Sequence, residues 1–188
     1  MGYETQIAQI QRGHIALAVC AALYLIWWVI FFRPGAASTP GAVKGLGVAF
    51  IIGAAVAGLY AVFQICGSLG GLSLSVPVFG IVCMGVVGYF ILLAITLGAC
   101  HRPVTTELAL IVGWVVLEAI ALDALSAAGA LGSGAVAALG IVVAIAAVAA
   151  LLCYVLYYGL PLPASFYDGA GPLAVVLVVS IVFALVGR

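Results

Sequence analysis

The sequence predicts an all-α integral membrane protein: a single transmembrane domain, built as a bundle of about six helices. Of its 188 residues, 68% are hydrophobic and 5% are charged, whereas soluble domains carry about a quarter charged residues. The apolar segments are long and continuous rather than alternating, which favours helices over strands. Because backbone amides find no water in hydrocarbon, such segments cross a bilayer as helices. We therefore expect membrane lipids to cover most of the surface.

Six apolar segments have the length that a membrane span requires, which is about 20 residues for about 30 Å of hydrocarbon. Turns that contain glycine or proline separate these segments, as at Arg33-Pro34-Gly35. The predicted helices lie near residues 14–32, 43–65, 76–99, 106–128, 135–160 and 173–187.

The six spans would pair as three helical hairpins. Helices 1 and 5 end with similar aromatic groups, Tyr24-x-x-Trp27-Trp28 and Tyr154-x-x-Tyr157-Tyr158. An internal repeat of the hairpins explains this similarity, and so does the general preference of aromatic residues for membrane interfaces. The sequence leaves both explanations open.

The basic residues favour one orientation. Arg33, Lys44 and Arg102 fall on one side of the predicted bundle, and Arg12 and Arg188 fall on the other. The positive-inside rule then places both termini outside, by three residues against two. We expect a multi-pass protein of a prokaryotic cytoplasmic membrane.

Several function classes find no support in the sequence. The formal net charge is zero, so the chain offers no basic surface to nucleic acid. Motifs such as Gly-x-Ser-x-Gly and His-Glu-x-x-His do not occur. We place His14 at the start of helix 1 and His101 after helix 3, about a bilayer thickness apart. Each is expected to be interfacial, and the sequence indicates no particular cofactor or metal.

Helix 4 contains the residues that most need an explanation: Glu107, Glu118 and Asp123. At the helical rise, Glu118 lies about 16 Å beyond Glu107, close to the bilayer centre. An ionised carboxylate at that depth costs at least several kcal/mol. Glu107 and Glu118 share one stripe of the helix with Trp114, whereas Asp123 points about 140° away from Glu118.

No Lys or Arg lies in the interior of a predicted span, since Lys44 is at the entry of helix 2. The partners available to Glu118 are therefore hydroxyl and amide groups. They are Tyr24, Tyr60, Gln64, Tyr89, Thr96 and Ser180. Without a basic partner, we expect Glu118 to be protonated or to hold a cation. The alternative is a carboxyl group that bonds to a neighbouring helix and only stabilises the packing.

These features predict a membrane transporter, channel or substrate-binding transport subunit with a site between the helices. We expect that site to include Glu118, Asp123, Trp114, Tyr24 and Tyr89. Asp168, in a predicted loop, is either a residue at the mouth of the site or a turn residue.

Two other functions remain open from the sequence alone. The first is a non-catalytic integral subunit that presents its acidic residues to a partner membrane protein. The second is an intramembrane enzyme or a lipid-binding protein. Association with another copy of the chain would also hide a lipid-facing carboxylate. A transporter should show a polar cavity around Glu118, whereas a subunit should present its acids on an outer face.

Overall fold

The computed structural model describes residues 3–68, 77–98 and 106–185, and these residues are almost entirely helical. The helices are α1 (Tyr3–Phe32), α2 (Gly41–Gly67), α3 (Pro77–Gly98), α4 (Thr106–Ala127), α5 (Ser133–Leu156) and α6 (Ala164–Leu185). The described residues form no strand, and all six helices are long and apolar enough to cross a membrane. The predicted fold class is therefore confirmed.

Some of the predicted features lie outside the described residues. They include His101, Arg102 and Arg188, together with the predicted ends of helix 3 at residues 76 and 99 and the last residues of helix 6. The predicted orientation depends on two of these arginines, and it stays a prediction.

The first helix begins eleven residues earlier than the predicted start at residue 14, because the polar segment before it continues the helix. Glu4 in the first turn suits the positive end of the helix dipole. Ile10 is only 1% exposed and belongs to the main hydrophobic core. His14 therefore lies well inside α1 rather than at its start.

The last helix begins at Ala164, nine residues before the predicted start at residue 173. Pro172 was expected to end a loop, but it lies inside α6. Membrane helices accept proline because neighbouring helices and local adjustments satisfy the freed backbone groups. Asp168 is consequently a helical residue, and the connection from α5 is short.

The fold is organised around α4. In the most apolar 18-residue stretch of α4, 56% of the residues are buried, compared with at most 22% in the corresponding stretches of the other helices. The helix contacts α2, α3 and α5, while α1 packs against α2 and α6, and α5 packs against α6. Each predicted hairpin thus consists of two helices in contact.

Helix α3 lies at the edge of this arrangement. It packs mainly against α4, and none of its most apolar window is buried (0%). Gly85 makes the contact close, because a Cβ atom at this position would collide with Val116. On the other side of the bundle, Gly13 brings α1 close to α2, since a Cβ atom there would lie 2.5 Å from Cγ1 of Ile65.

Candidate functional site

A histidine and a glutamate form a buried pair where α1 meets α4. Nε2 of His14 lies 2.9 Å from Oε2 of Glu118, and neither side chain has solvent-exposed surface (0% for both). The other ring nitrogen, Nδ1, lies 2.8 Å from the carbonyl oxygen of Ile10, one helical turn earlier. The pair links two helices that are far apart in the sequence and places a carboxyl group inside the bundle.

The contact with Ile10 determines how many protons the pair holds. A carbonyl oxygen only accepts hydrogen bonds, so Nδ1 of His14 donates to it and carries a hydrogen. The bond between Nε2 and Glu118 then contains one proton. Either a protonated Glu118 donates to a neutral His14, or an imidazolium donates to a carboxylate. Both arrangements have zero net charge, which avoids the high cost of an isolated charge in the membrane.

The second carboxyl oxygen favours the neutral arrangement. Among the described residues, Oε1 of Glu118 is buried and has no hydrogen-bond partner. An ionised carboxylate needs several donors to offset the loss of water, whereas a protonated carboxyl group needs fewer. The geometry therefore favours a Glu118 hydroxyl that donates to a neutral His14.

Helix α6 covers the pair. The ring of Phe183 stacks on the imidazole of His14, with 4.7 Å between centroids and 14° between planes. Ser180 lies one turn earlier on α6 and is fully buried, but its hydroxyl bonds to none of the described residues. The predicted list of partners for Glu118 included Ser180 and omitted His14, which is the residue that forms the bond.

A cavity of about 410 Å³ lies between α1, α4, α5 and α6. This volume is within the range of small-molecule sites, which is about 300–1,000 Å³. Aromatic rings dominate the described part of its lining, and all three tryptophans of the chain are among them. The aromatic lining residues are Tyr24, Trp27, Trp28, Phe32, Trp114, Tyr154 and Tyr157.

Two carboxylates belong to the same lining. Glu107 is an exposed residue in the first turn of α4, and Asp168 is a half-buried residue near the start of α6, beside Cys153. Oδ2 of Asp168 is buried and bonds to none of the described residues. Pro172 has no N–H, so the backbone carbonyl of Asp168, four residues earlier, lacks its usual helical donor. No described lining residue is Lys, Arg or His.

Packing between α1 and α6 forms one wall of the cavity. The indole Nε1 of Trp28 donates a hydrogen bond of 3.0 Å to the carbonyl oxygen of Phe166. Gly169 allows this approach, because a Cβ atom there would collide with the Trp28 ring. The Trp28 ring also packs against Tyr157, with 6.0 Å between centroids. This wall is therefore fixed by a hydrogen bond and by close packing.

Helix α4 connects the cavity to the buried pair. Glu107, Ile111 and Trp114 line the cavity, and Glu118 lies one turn beyond Trp114. Trp114 is 8% exposed, and its Nε1 donor has no partner among the described residues. The stripe recognised in the sequence thus faces the interior of the bundle, with Glu107 at one end and the pair at the other.

The structure brings together only some of the predicted site residues. Tyr24 and Trp114 line the cavity, whereas Glu118 lies beyond it and contacts His14. Asp123 is half-buried and is not part of the described lining. Tyr89 packs against the small cluster around Leu108 and Tyr154 instead of reaching either feature.

The expectation that His14 is interfacial was wrong, since the side chain is fully buried (0% exposed) against Glu118. The error follows from the predicted start of helix 1, which placed His14 at the membrane surface. Asp168 was considered for the mouth of the site, and it does line the cavity. The two aromatic groups at the ends of helices 1 and 5 were a usable signal, because their described members meet in the cavity.

Comparisons with protein families, curated proteins and solved structures give no match. Among the described residues, no group of three or more His, Cys, Asp or Glu side chains is arranged to hold a metal ion. The buried pair and the cavity are therefore the features of the described residues that bear on function.

Proposed function

We propose that this chain is a small membrane transport protein, acting alone or as the substrate-binding subunit of a transport system. Its substrate occupies the cavity, and its intramembrane carboxyl group, Glu118, carries a proton that is coupled to the substrate. The observation that carries this proposal is the fully buried His14–Glu118 pair, in which Nε2 and Oε2 lie 2.9 Å apart. Glu118 lies one helical turn beyond Trp114, which lines the cavity.

The position of the pair supports a role beyond packing. If a polar bond only joins two helices, replacing both of its side chains with apolar residues of similar shape usually changes the stability of the fold little. Here the bond lies at the end of a stripe that also contributes Glu107 and Trp114 to the cavity. A change in the cavity therefore reaches the pair through a single rigid helix.

The burial of Glu118 also argues against the partner-subunit alternative. A subunit that used this carboxyl group to bind another protein would present it on an outer face of the bundle. Glu118 instead has no exposed surface (0%) and is bonded within its own chain. The polar cavity expected around Glu118 is not found either, because the residue is fully buried and is not part of the described cavity lining. The transport proposal therefore takes Glu118 as a residue beside the substrate cavity rather than one that lines it.

Proteoliposomes that contain a pH-sensitive dye test the proposal. Gradients of cationic, neutral and anionic solutes are applied one at a time, and the internal pH is followed. We expect at least one solute gradient to drive proton movement in the wild-type protein and none to do so in Glu118→Gln. The amide of this variant still donates a hydrogen bond to His14 but has no proton to release.

Glu4→Gln serves as the matched control, because Glu4 is exposed in the first turn of α1, about 15 Å from His14 along the helix. This variant should behave like the wild type. The proposal is wrong if no solute in any of the three charge classes moves protons, or if the movement persists in Glu118→Gln.

A further inference from the structure

The cavity combines aromatic rings with two carboxylates that pair with no basic side chain among the described residues. We propose that its ligand is a small organic cation with an apolar body, such as a substituted ammonium ion. This inference rests on the proposed function, because it names the class of substrate that the transport site accepts. It is nevertheless a statement about binding, and binding is measured without transport.

The charge argument starts from Glu107 and Asp168, both of which line the cavity. Across the described residues, neither carboxylate forms an ion pair with a Lys or Arg side chain. Lys44 lies within α2, and its ammonium group contacts the carbonyl oxygen of Ala37 at 3.4 Å. Asp168 is half-buried beside this apolar cavity, so its carboxylate attracts a positive charge more strongly than it would in water, and Glu107, which is exposed, adds a second negative charge.

The aromatic lining distinguishes an organic cation from a metal ion. Calcium and magnesium require about six or more oxygen ligands in a compact shell, and this cavity offers mainly rings. Indole and phenol faces attract a cation within about 6 Å of the ring centroid, with tryptophan the most effective. Trp27 and Trp28 line the same cavity as the two acids, and Phe32 stacks on one face of Trp28. The rest of the lining accepts apolar groups of the ligand.

The inner end of the cavity carries an independent sign of a ligand. Trp114 lines the cavity, is 8% exposed, and its Nε1 donor has no partner among the described residues. A buried donor of this kind is unusual and needs an explanation. A hydrogen-bond acceptor on the ligand satisfies it. Because Trp114 is seven residues beyond Glu107, this acceptor lies about 10 Å deeper than the charged end.

Intrinsic fluorescence measures binding directly, since all three tryptophans of the protein line the cavity. The purified chain, in an uncharged detergent, is titrated with benzyltrimethylammonium and separately with neopentylbenzene. Neopentylbenzene is the neutral isostere, in which carbon replaces the charged nitrogen. We expect saturable fluorescence change with the cation and at least about tenfold weaker binding of the isostere, which corresponds to about 1.4 kcal/mol.

Variants then locate the charge. Glu107→Gln and Asp168→Asn remove one negative charge each with little change in shape, and each should weaken cation binding by about tenfold while leaving the isostere unaffected. Glu4→Gln is the control for a carboxylate outside the cavity and should bind like the wild type. If a cavity variant fails to fold, the comparison of the two probes on the unmodified protein still decides the question.

Equal affinity for the cation and its isostere would overturn the proposal, as would the absence of any saturable fluorescence change. Loss of binding in Glu4→Gln equal to that in Glu107→Gln would overturn it as well. Failure of the transport proposal gives a different result: the cation binds as expected, but no solute gradient moves protons in proteoliposomes. Coupled movement driven only by neutral or anionic solutes would refute the cation assignment alone.

Discussion

Replacing both members of the His14–Glu118 pair measures how much their bond stabilises the fold. His14→Phe keeps a ring that stacks on Phe183, and Glu118→Met keeps a chain of similar length without polar oxygens. Each single variant leaves the other residue buried without its partner, which typically costs about 1–3 kcal/mol. The double variant removes both polar groups, so it should be less destabilised than the sum of the two single variants.

The structure sets the expected coupling energy. Hydrogen bonds between transmembrane helices contribute about 0.6 kcal/mol on average and up to about 1.7 kcal/mol. This bond is 2.9 Å long, both side chains have no exposed surface (0%), and the carboxyl group has no second partner among the described residues. We therefore expect a coupling energy of about 1–1.7 kcal/mol, in the upper part of that range.

The assay is reversible unfolding in mixed micelles with increasing sodium dodecyl sulfate, followed by circular dichroism for all four proteins of the cycle. Tryptophan fluorescence provides a second signal, because Trp114 lies one helical turn from Glu118 and is not a member of the pair. Independent sites add to within about 0.5 kcal/mol. A coupling energy smaller than this would mean that the bond contributes nothing specific, and the reasoning about the pair would be refuted.

Three further variants test the packing. Gly13→Ala should destabilise the fold by about 1–3 kcal/mol, because the new methyl group would collide with Ile65. Gly140→Ala is the control, because nothing lies within 4 Å of the new Cβ atom. It should be neutral or stabilising in the same unfolding assay. Trp28→Phe should cost about 1 kcal/mol through loss of the hydrogen bond to Phe166. Stability unchanged in Trp28→Phe, or Gly13→Ala no worse than Gly140→Ala, would contradict the described contacts.

The sequence predicted the six helices because each of them depends on its own hydrophobicity and length. It also predicted that Glu107, Trp114 and Glu118 share one face, since this follows from the helical repeat within a single segment. Both predictions need only local information. The structure agrees with them, and α4 indeed presents this stripe to the interior of the bundle.

The partner of Glu118 required information that one segment does not contain. His14 was not among the predicted partners of Glu118, because the polar residues before it suggested a helix that starts at the membrane surface. In the structure, Ile10 is buried and the helix continues through this segment. The start of α6 was missed for a related reason, since Pro172 inside the helix suggested a loop and placed Asp168 in that loop rather than in a helix.

The exposed position of α3 has a practical consequence for anyone who handles this protein. Its most apolar stretch has no buried residue (0%), so surrounding acyl chains rather than protein supply most of its contacts. The detergent chosen for extraction therefore affects whether α3 stays packed against the bundle. Short-chain detergents should separate this segment from the bundle first, and hydrogen–deuterium exchange across a detergent series would show it.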